Sequence, residues 1–199
     1  MEFNNDLIRK AIYFATRAHC NAPMDDKDKP KNKGKVYQGQ VRKGTDIPYI
    51  VHPFEVWSIL KENNCSITVQ VAGILHDVLE DAEVKPEEIE REFGKDVREL
   101  VATESEDKNK TWQERKQITL DDLKNASEET KMVCCADKLS NVRCIAYDYK
   151  NEGESVFNRF NKGKELQAWY YKGIVEALKS LSGMAMYEEL RDIVGILFK

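Results

Sequence analysis

The residues with the plainest chemical capacity in this chain are His76 and Asp77, consecutive and placed directly after the apolar run VAGIL. A carboxylate in such a setting loses its hydration and must be offset by a partner, a hydrogen bond or a metal ion. Neutral imidazole with carboxylate is a ligand set suited to divalent first-row metals. Glu80 and Asp81 follow one turn later. On a continuous helix, positions i and i+4 stack, which puts Glu80 over His76 and Asp81 over Asp77 and crowds one histidine and three carboxylates onto adjoining faces. Such a cluster repels itself without a cation. Taken alone, the dipeptide also fits a helix end meeting solvent. Two further segments offer the same chemistry: His52, which follows the apolar PYIV and precedes Pro53, and Asp137 in VCCADKLSN. The proline disfavours the α region for His52, so an extended residue with its ring turned away from the following helix is expected. Two histidines and two aspartates from three segments make a ligand set with room for water, provided the fold brings them together.

Helices are the elements that must do so, because apolar residues recur at spacings of three and four while strict alternation over a strand length is hard to find. The expected fold class is all-α, a compact multi-helix bundle in a single domain spanning residues 1–199. The first helix starts after Asn4 or Asn5, carries Leu7, Ala11, Phe14, Ala15 and Ala18 on one stripe, and ends near His19 and Cys20. Pro53 opens a second helix, and Ser66 caps a third running through VAGILHDVLED. A helix near Trp112 to Lys124 precedes a long one capped by Ser127. Amphipathic helices near Glu165 to Leu181 and Met184 to Phe198 close the chain.

Charge is partitioned along this frame. The segment from Lys27 to Lys43 has seven basic residues against Asp28, whereas His76 to Asp107 has thirteen acidic residues against four basic ones. The net charge of −4 over 199 residues argues against a general nucleic-acid coat, which needs a basic balance. No apolar run approaches the roughly 18 residues of a membrane span, and the charged N-terminus lacks a signal-peptide core. Five cysteines without regular spacing point to a reduced, cytoplasmic protein rather than a disulfide scaffold.

The ordered series RKGTDIPYIVHP, HDVLED and ADKLSN resembles the HD-domain metal-dependent phosphohydrolases, specifically the RelA/SpoT-type hydrolases of the alarmones guanosine tetra- and pentaphosphate. The resemblance runs from AIYFATRAH to NKGKELQAWYY. It implies that His52, His76, Asp77 and Asp137 hold one divalent metal, typically Mn²⁺, with other first-row metals as alternatives. Glu80 and Asp81 match the pair that activates the attacking water. Arg42 and Lys43 match the nucleotide-contacting pair, in which a guanidinium can stack on the base where an ammonium cannot. Asn141, one turn after Asp137, matches a contact to the nucleotide sugar. Lys108 and Arg115 are similar to basic residues that meet the distal phosphates. His19 matches a family Ala-His pair whose histidine is not a ligand, and packing or hydrogen bonding near the site is the expected role.

The implied activity is removal of the 3′-diphosphate from a small-molecule nucleotide, with no nucleic-acid or membrane partner. Alternatives are an HD phosphohydrolase acting on another nucleotide and a non-catalytic nucleotide sensor. The chain departs from its relatives by a Lys-rich insertion at about 21–38, read either as a solvated surface loop or as a flap that collects phosphate. Its length leaves no room for the synthetase and regulatory domains of the long alarmone enzymes, so a stand-alone hydrolase is expected. The sequence leaves open whether the terminal amphipathic helices mediate a homodimer. Trp57, Trp112, Trp169 and the Cys134–Cys135 pair are read as packing residues, and Tyr49 as either pocket-lining or packing.

Overall fold

The three- and four-residue apolar spacing becomes helix almost throughout. The computed structural model describes residues 4–21, 39–42, 45–82, 84–103, 109–160 and 162–199. Among these residues there is no strand, only an isolated antiparallel bridge between Val41 and Pro48. Two compact units divide the chain, Met1–Ser105 and Glu106–Lys199. The insertion expected at 21–38 lies outside the described residues except for Asn21. Lys43 and Lys108 also lie outside them.

The first unit comprises α1 (Asn4–Asn21), α2 (Val51–Glu62), α3 (Ile67–Leu75), α4 (Val78–Asp81), α5 (Pro86–Phe93) and α6 (Lys95–Ala102). Its centre is α3, which packs against α1, α2 and α6. Seven of its nine residues, Val69 through Leu75, are buried. As the Ser66 spacing predicts, that side chain caps the helix by accepting the Val69 N–H. Gly73 lets α2 approach closely, since a Cβ there would run into the Leu60 and Val56 side chains. On α1 the fully inward positions are Ile8, Ala11, Ala15 and His19. The stripe is therefore rotated slightly from the expected one, and its last inward position is occupied by a histidine.

Two local expectations are corrected. His52 is not extended, because α2 already begins at Val51 and Ile50 has α-helical angles. Proline tolerates this position because N–H groups in the first turn have no intrahelical acceptor to lose. The helix through VAGILHDVLED is not continuous either. α3 ends at Leu75 and α4 begins at Val78, with His76 and Asp77 in the turn between them.

The second unit comprises α7 (Trp112–Asn125), α8 (Glu128–Glu152), α9 (Gly163–Ala177) and α10 (Ala185–Leu197), with 3₁₀ turns at Gly153–Arg159 and Lys179–Leu181. Thr111 and Glu114 form a capping box at α7: the hydroxyl accepts the Glu114 N–H, and the carboxylate accepts the Thr111 N–H at 2.8 Å. Ser127 caps α8 as expected. α8 is the long central helix of this unit and packs on α10, where Arg143 makes a bidentate pair with Glu189 at 2.7 Å in both contacts. Cys134 and Cys135 are both buried in it.

Candidate metal centre

In the first unit, the turn between α3 and α4 turns His76 and Asp77 towards α2. His76 Nδ1 lies 2.9 Å from the Gly73 carbonyl oxygen. That oxygen only accepts, so Nδ1 carries a proton, and in the neutral ring Nε2 presents a bare lone pair. Nε2 is 3.2 Å from His52 Nε2 and 2.9 Å from Asp77 Oδ2, and His52 Nε2 is 3.7 Å from the same oxygen. Both histidine side chains are buried, and that of Asp77 is 19% exposed. Two ring nitrogens thus converge on one carboxylate oxygen in a His-His-Asp cluster. The bare nitrogen of His76 facing a carboxylate oxygen at that range is repulsive until a cation lies between them, so these residues fit a divalent metal by the chemistry of their donor atoms.

The groups behind these three residues complete a second layer of contacts. Tyr49 donates its hydroxyl to Asp77 Oδ2, and its ring packs against those of His19 and His52, with centroids 4.9 and 5.8 Å apart. His19 is fully buried and 2.9 Å, through Nδ1, from Gln40 Oε1; Gln40 Nε2 donates to Asp81 Oδ2 at 3.1 Å. Burial holds the His19 imidazole below the ordinary histidine value, against the opposing hydrogen bond to Gln40. Asp77 and Asp81 keep the expected i, i+4 relation across the start of α4. Asp81 N–H closes on the Asp77 carbonyl at 2.9 Å, and Glu80 and Asp81 are half-buried. Arg42 sits in the loop closed by the Val41–Pro48 bridge, its N–H bonded to the Ile47 carbonyl at 2.8 Å. Thr45 covers the Arg42 carbonyl through both N–H and hydroxyl.

In the second unit, Asp137 is buried on α8. Asn141, one turn on, donates to its Oδ1 at 2.6 Å, and Lys138 pairs with Oδ2. Arg115 lies half-buried on α7. Tyr170 on α9 packs edge-on against Trp112 at 6.0 Å, with Lys116 Nζ 5.0 Å from its ring centre. Burial pushes its phenol upward, most strongly opposed by Lys138. Trp112 and Trp169 lie edge to face at 6.3 Å, and Trp57 donates to Gln70 at 3.1 Å, so each tryptophan has a packing or hydrogen-bonding partner within its own unit.

Within the first unit, then, the fold brings together His52, His76 and Asp77 and links Asp81 to His19. Sequence reasoning missed Gln40 altogether. The only local signal was its place between a buried histidine and PYIV, and an amide in a loop announces nothing until its two ends are seen to be occupied.

Residues 33–165 match the HD domain family. The chain is 40% identical over 139 residues to guanosine-3′,5′-bis(diphosphate) 3′-pyrophosphohydrolase MESH1 of Xenopus tropicalis, covering 69% of this chain and 68% of that relative. By these matches the chain belongs to the HD-domain family and stands with its MESH1/SpoT-type members. The crystal structure of lmo0812 from Listeria monocytogenes EGD-e is similar at a TM-score of 0.70 and 34% identity, over 74% of this chain and 98% of that one. A metazoan ortholog of SpoT, described as hydrolyzing ppGpp and playing a role in starvation responses, shares the fold at a TM-score of 0.72. That match covers 96% of this chain and 94% of the other at 23% identity. No helix among the described residues is long and apolar enough to cross a membrane.

Proposed function

We propose that this chain is a metal-dependent pyrophosphohydrolase that removes the 3′-diphosphate from guanosine tetra- or pentaphosphate, giving GDP or GTP and pyrophosphate. The observation that carries the reading is the convergence of the His52 and His76 ring nitrogens on Asp77. The name of the relative that is 40% identical supports the substrate. His52, His76 and Asp77, with Asp137 as the fourth ligand, would hold one divalent cation, Mn²⁺ in the first instance. When bound, the cation would lower the pKa of a water and polarise the phosphoryl oxygens.

The remaining work falls to this chain's own side chains. Glu80 and Asp81 orient the water for in-line attack and take its proton as its oxygen bonds to phosphorus and the bond to the ribose 3′ oxygen breaks, the proton passing on to that oxygen to leave the 3′-hydroxyl. Tyr49 holds Asp77 by its hydroxyl, and the Gly73 carbonyl holds His76 in the tautomer that leaves Nε2 bare. Asn141 reaches the sugar, Arg42 and Lys43 the base and nearby phosphate, and Lys108 and Arg115 the distal phosphates, where fixed cations offset charge on the pyrophosphate. The same reading takes residues 1–199 as one HD-type domain, since the family match at 33–165 runs through both units. It places the chain in the cytoplasm, which the five free thiols fit, and allows a homodimer through the terminal helices.

The test is turnover of guanosine tetraphosphate by chelated enzyme with Mn²⁺, Mg²⁺ or Zn²⁺ restored separately, measuring GDP, pyrophosphate and orthophosphate. Metal-restored release of pyrophosphate is expected, and Glu80→Gln should keep the metal and lose turnover. Orthophosphate without pyrophosphate overturns the reaction. Metal loss in Glu80→Gln equal to that in His76→Ala would make Glu80 a ligand instead.

A further inference from the structure

The polarity of the hydrogen-bond chain from His19 to Asp81 can be deduced without seeing a proton. The Asp81 carboxylate only accepts, so the end of the Gln40 amide that faces its Oδ2 at 3.1 Å is the NH₂. The other end, Oε1, is then an acceptor facing His19 Nδ1 at 2.9 Å, which makes Nδ1 the protonated nitrogen of a neutral ring. Burial of His19 favours that uncharged form. His19 Nε2, buried and without a hydrogen-bond partner among the described residues, is the bare nitrogen this assignment requires.

The backbone holds the same arrangement. Gln40 N–H donates to the His19 carbonyl at 3.1 Å, and the Gln40 carbonyl accepts from Tyr49 N–H at 2.8 Å. Gln40 is therefore clamped between the end of α1 and the segment leading into α2, and its side chain spans from a fully buried ring to Asp81, the last residue of α4. A helix of four residues is a weak mount for a carboxylate that must meet a water in one orientation.

We propose that His19 and Gln40 are positioning residues for Asp81: the neutral His19 ring locks the Gln40 amide, and the amide N–H fixes the plane of the Asp81 carboxyl group. The assignment rests on the proposed role of Asp81 in activating water. Neither residue touches the reacting atoms. Histidine suits the position because it supplies one N–H donor in a buried site without bringing a charge beside Asp77 and Asp81.

Three variants test the relay: Gln40→Leu, His19→Leu and His19→Asn, the last because an asparagine amide can set an N–H close to the position of Nδ1. Gln40→Leu should lower kcat about 10- to 100-fold, the scale of a misplaced catalytic group, with KM and bound metal unchanged. His19→Leu should fall in the same direction, His19→Asn should recover most of the loss, and His19→Leu with Gln40→Leu should be no worse than Gln40→Leu alone, because the two act in one chain. Long-range ¹H–¹⁵N spectra should show His19 as the Nδ1–H tautomer in the unmodified protein and lose that tautomer in Gln40→Leu. Full kcat in Gln40→Leu while Glu80→Gln is inactive would overturn the proposal. So would a His19→Asn variant as impaired as His19→Leu, multiplicative losses in the double variant, or an Nε2–H tautomer. An unmodified enzyme with no turnover of guanosine tetraphosphate overturns the proposed function instead, and the His19 spectrum from the same sample tells the two failures apart.

Discussion

Tyr49→Phe isolates the support of one proposed ligand, Asp77. The substitution removes a single oxygen, while the ring that packs 4.9 Å from His19 and 5.8 Å from His52 keeps its volume and place. What disappears is the donor to Asp77 Oδ2, the oxygen that lies 2.9 Å from His76 Nε2 and 3.7 Å from His52 Nε2. A hydrogen bond to a charged acceptor is worth about 1.5–3 kcal/mol. At about 1.4 kcal/mol per decade, that would be roughly 10- to 150-fold if it all appeared in metal affinity. The metal-free protein loses the same bond, so only the part that orients Asp77 for the metal counts, and about a 10-fold weakening is the expected result, the low end for partners behind metal ligands. Competition against a chromophoric chelator measures it, with the melting temperature as a check on the fold. An affinity within about two-fold of the unmodified protein, or a tighter one, would refute the reasoning that Tyr49 orients Asp77.

Gly73→Val would drive a branched side chain into Leu60 and Val56, both fully buried. Overpacking of this kind costs about 1–3 kcal/mol. Thermal unfolding should show the loss, and unchanged stability would mean that α2 and α3 can separate freely. Stability should also depend on pH through His19. His19 is held below the ordinary value of 6.5, chiefly by burial and further by His76, while Gln40, Asp77 and Asp81 pull the other way. The unfolded chain then binds more protons than the folded one just below that value, so this contribution to stability is present above it and lost as pH falls. Denaturant titrations between about pH 7.5 and 5.5 should show a shallower decline in His19→Asn. An equal slope in both proteins would remove His19 as the cause.

Much of the helical layout is a short-range property and could be read directly. The caps at Ser66 and Ser127, the long α8 and the two closing helices follow from side-chain type and apolar spacing over one or two turns. The HD-type series was legible for a similar reason, since its residues keep their order and local setting in the chain. The sequence was less informative where a local rule met packing. Proline pointed to an extended His52, yet the first turn of α2 accommodates it, and the apolar run pointed to one helix where the chain turns at His76 and Asp77.

What the sequence by itself determined is therefore the helical class and the residue types able to bind a cation, because both depend on neighbours within a turn. Which nitrogen of His76 is bare, which hydroxyl steadies Asp77 and which amide holds Asp81 were decided only by the tertiary structure. These features depend on partners brought together by packing, such as Tyr49 with Asp77 and Gln40 with Asp81, separated by 28 and 41 positions along the chain. A hydrogen bond's direction is set by the group on its far side, and in this chain that group comes from another element.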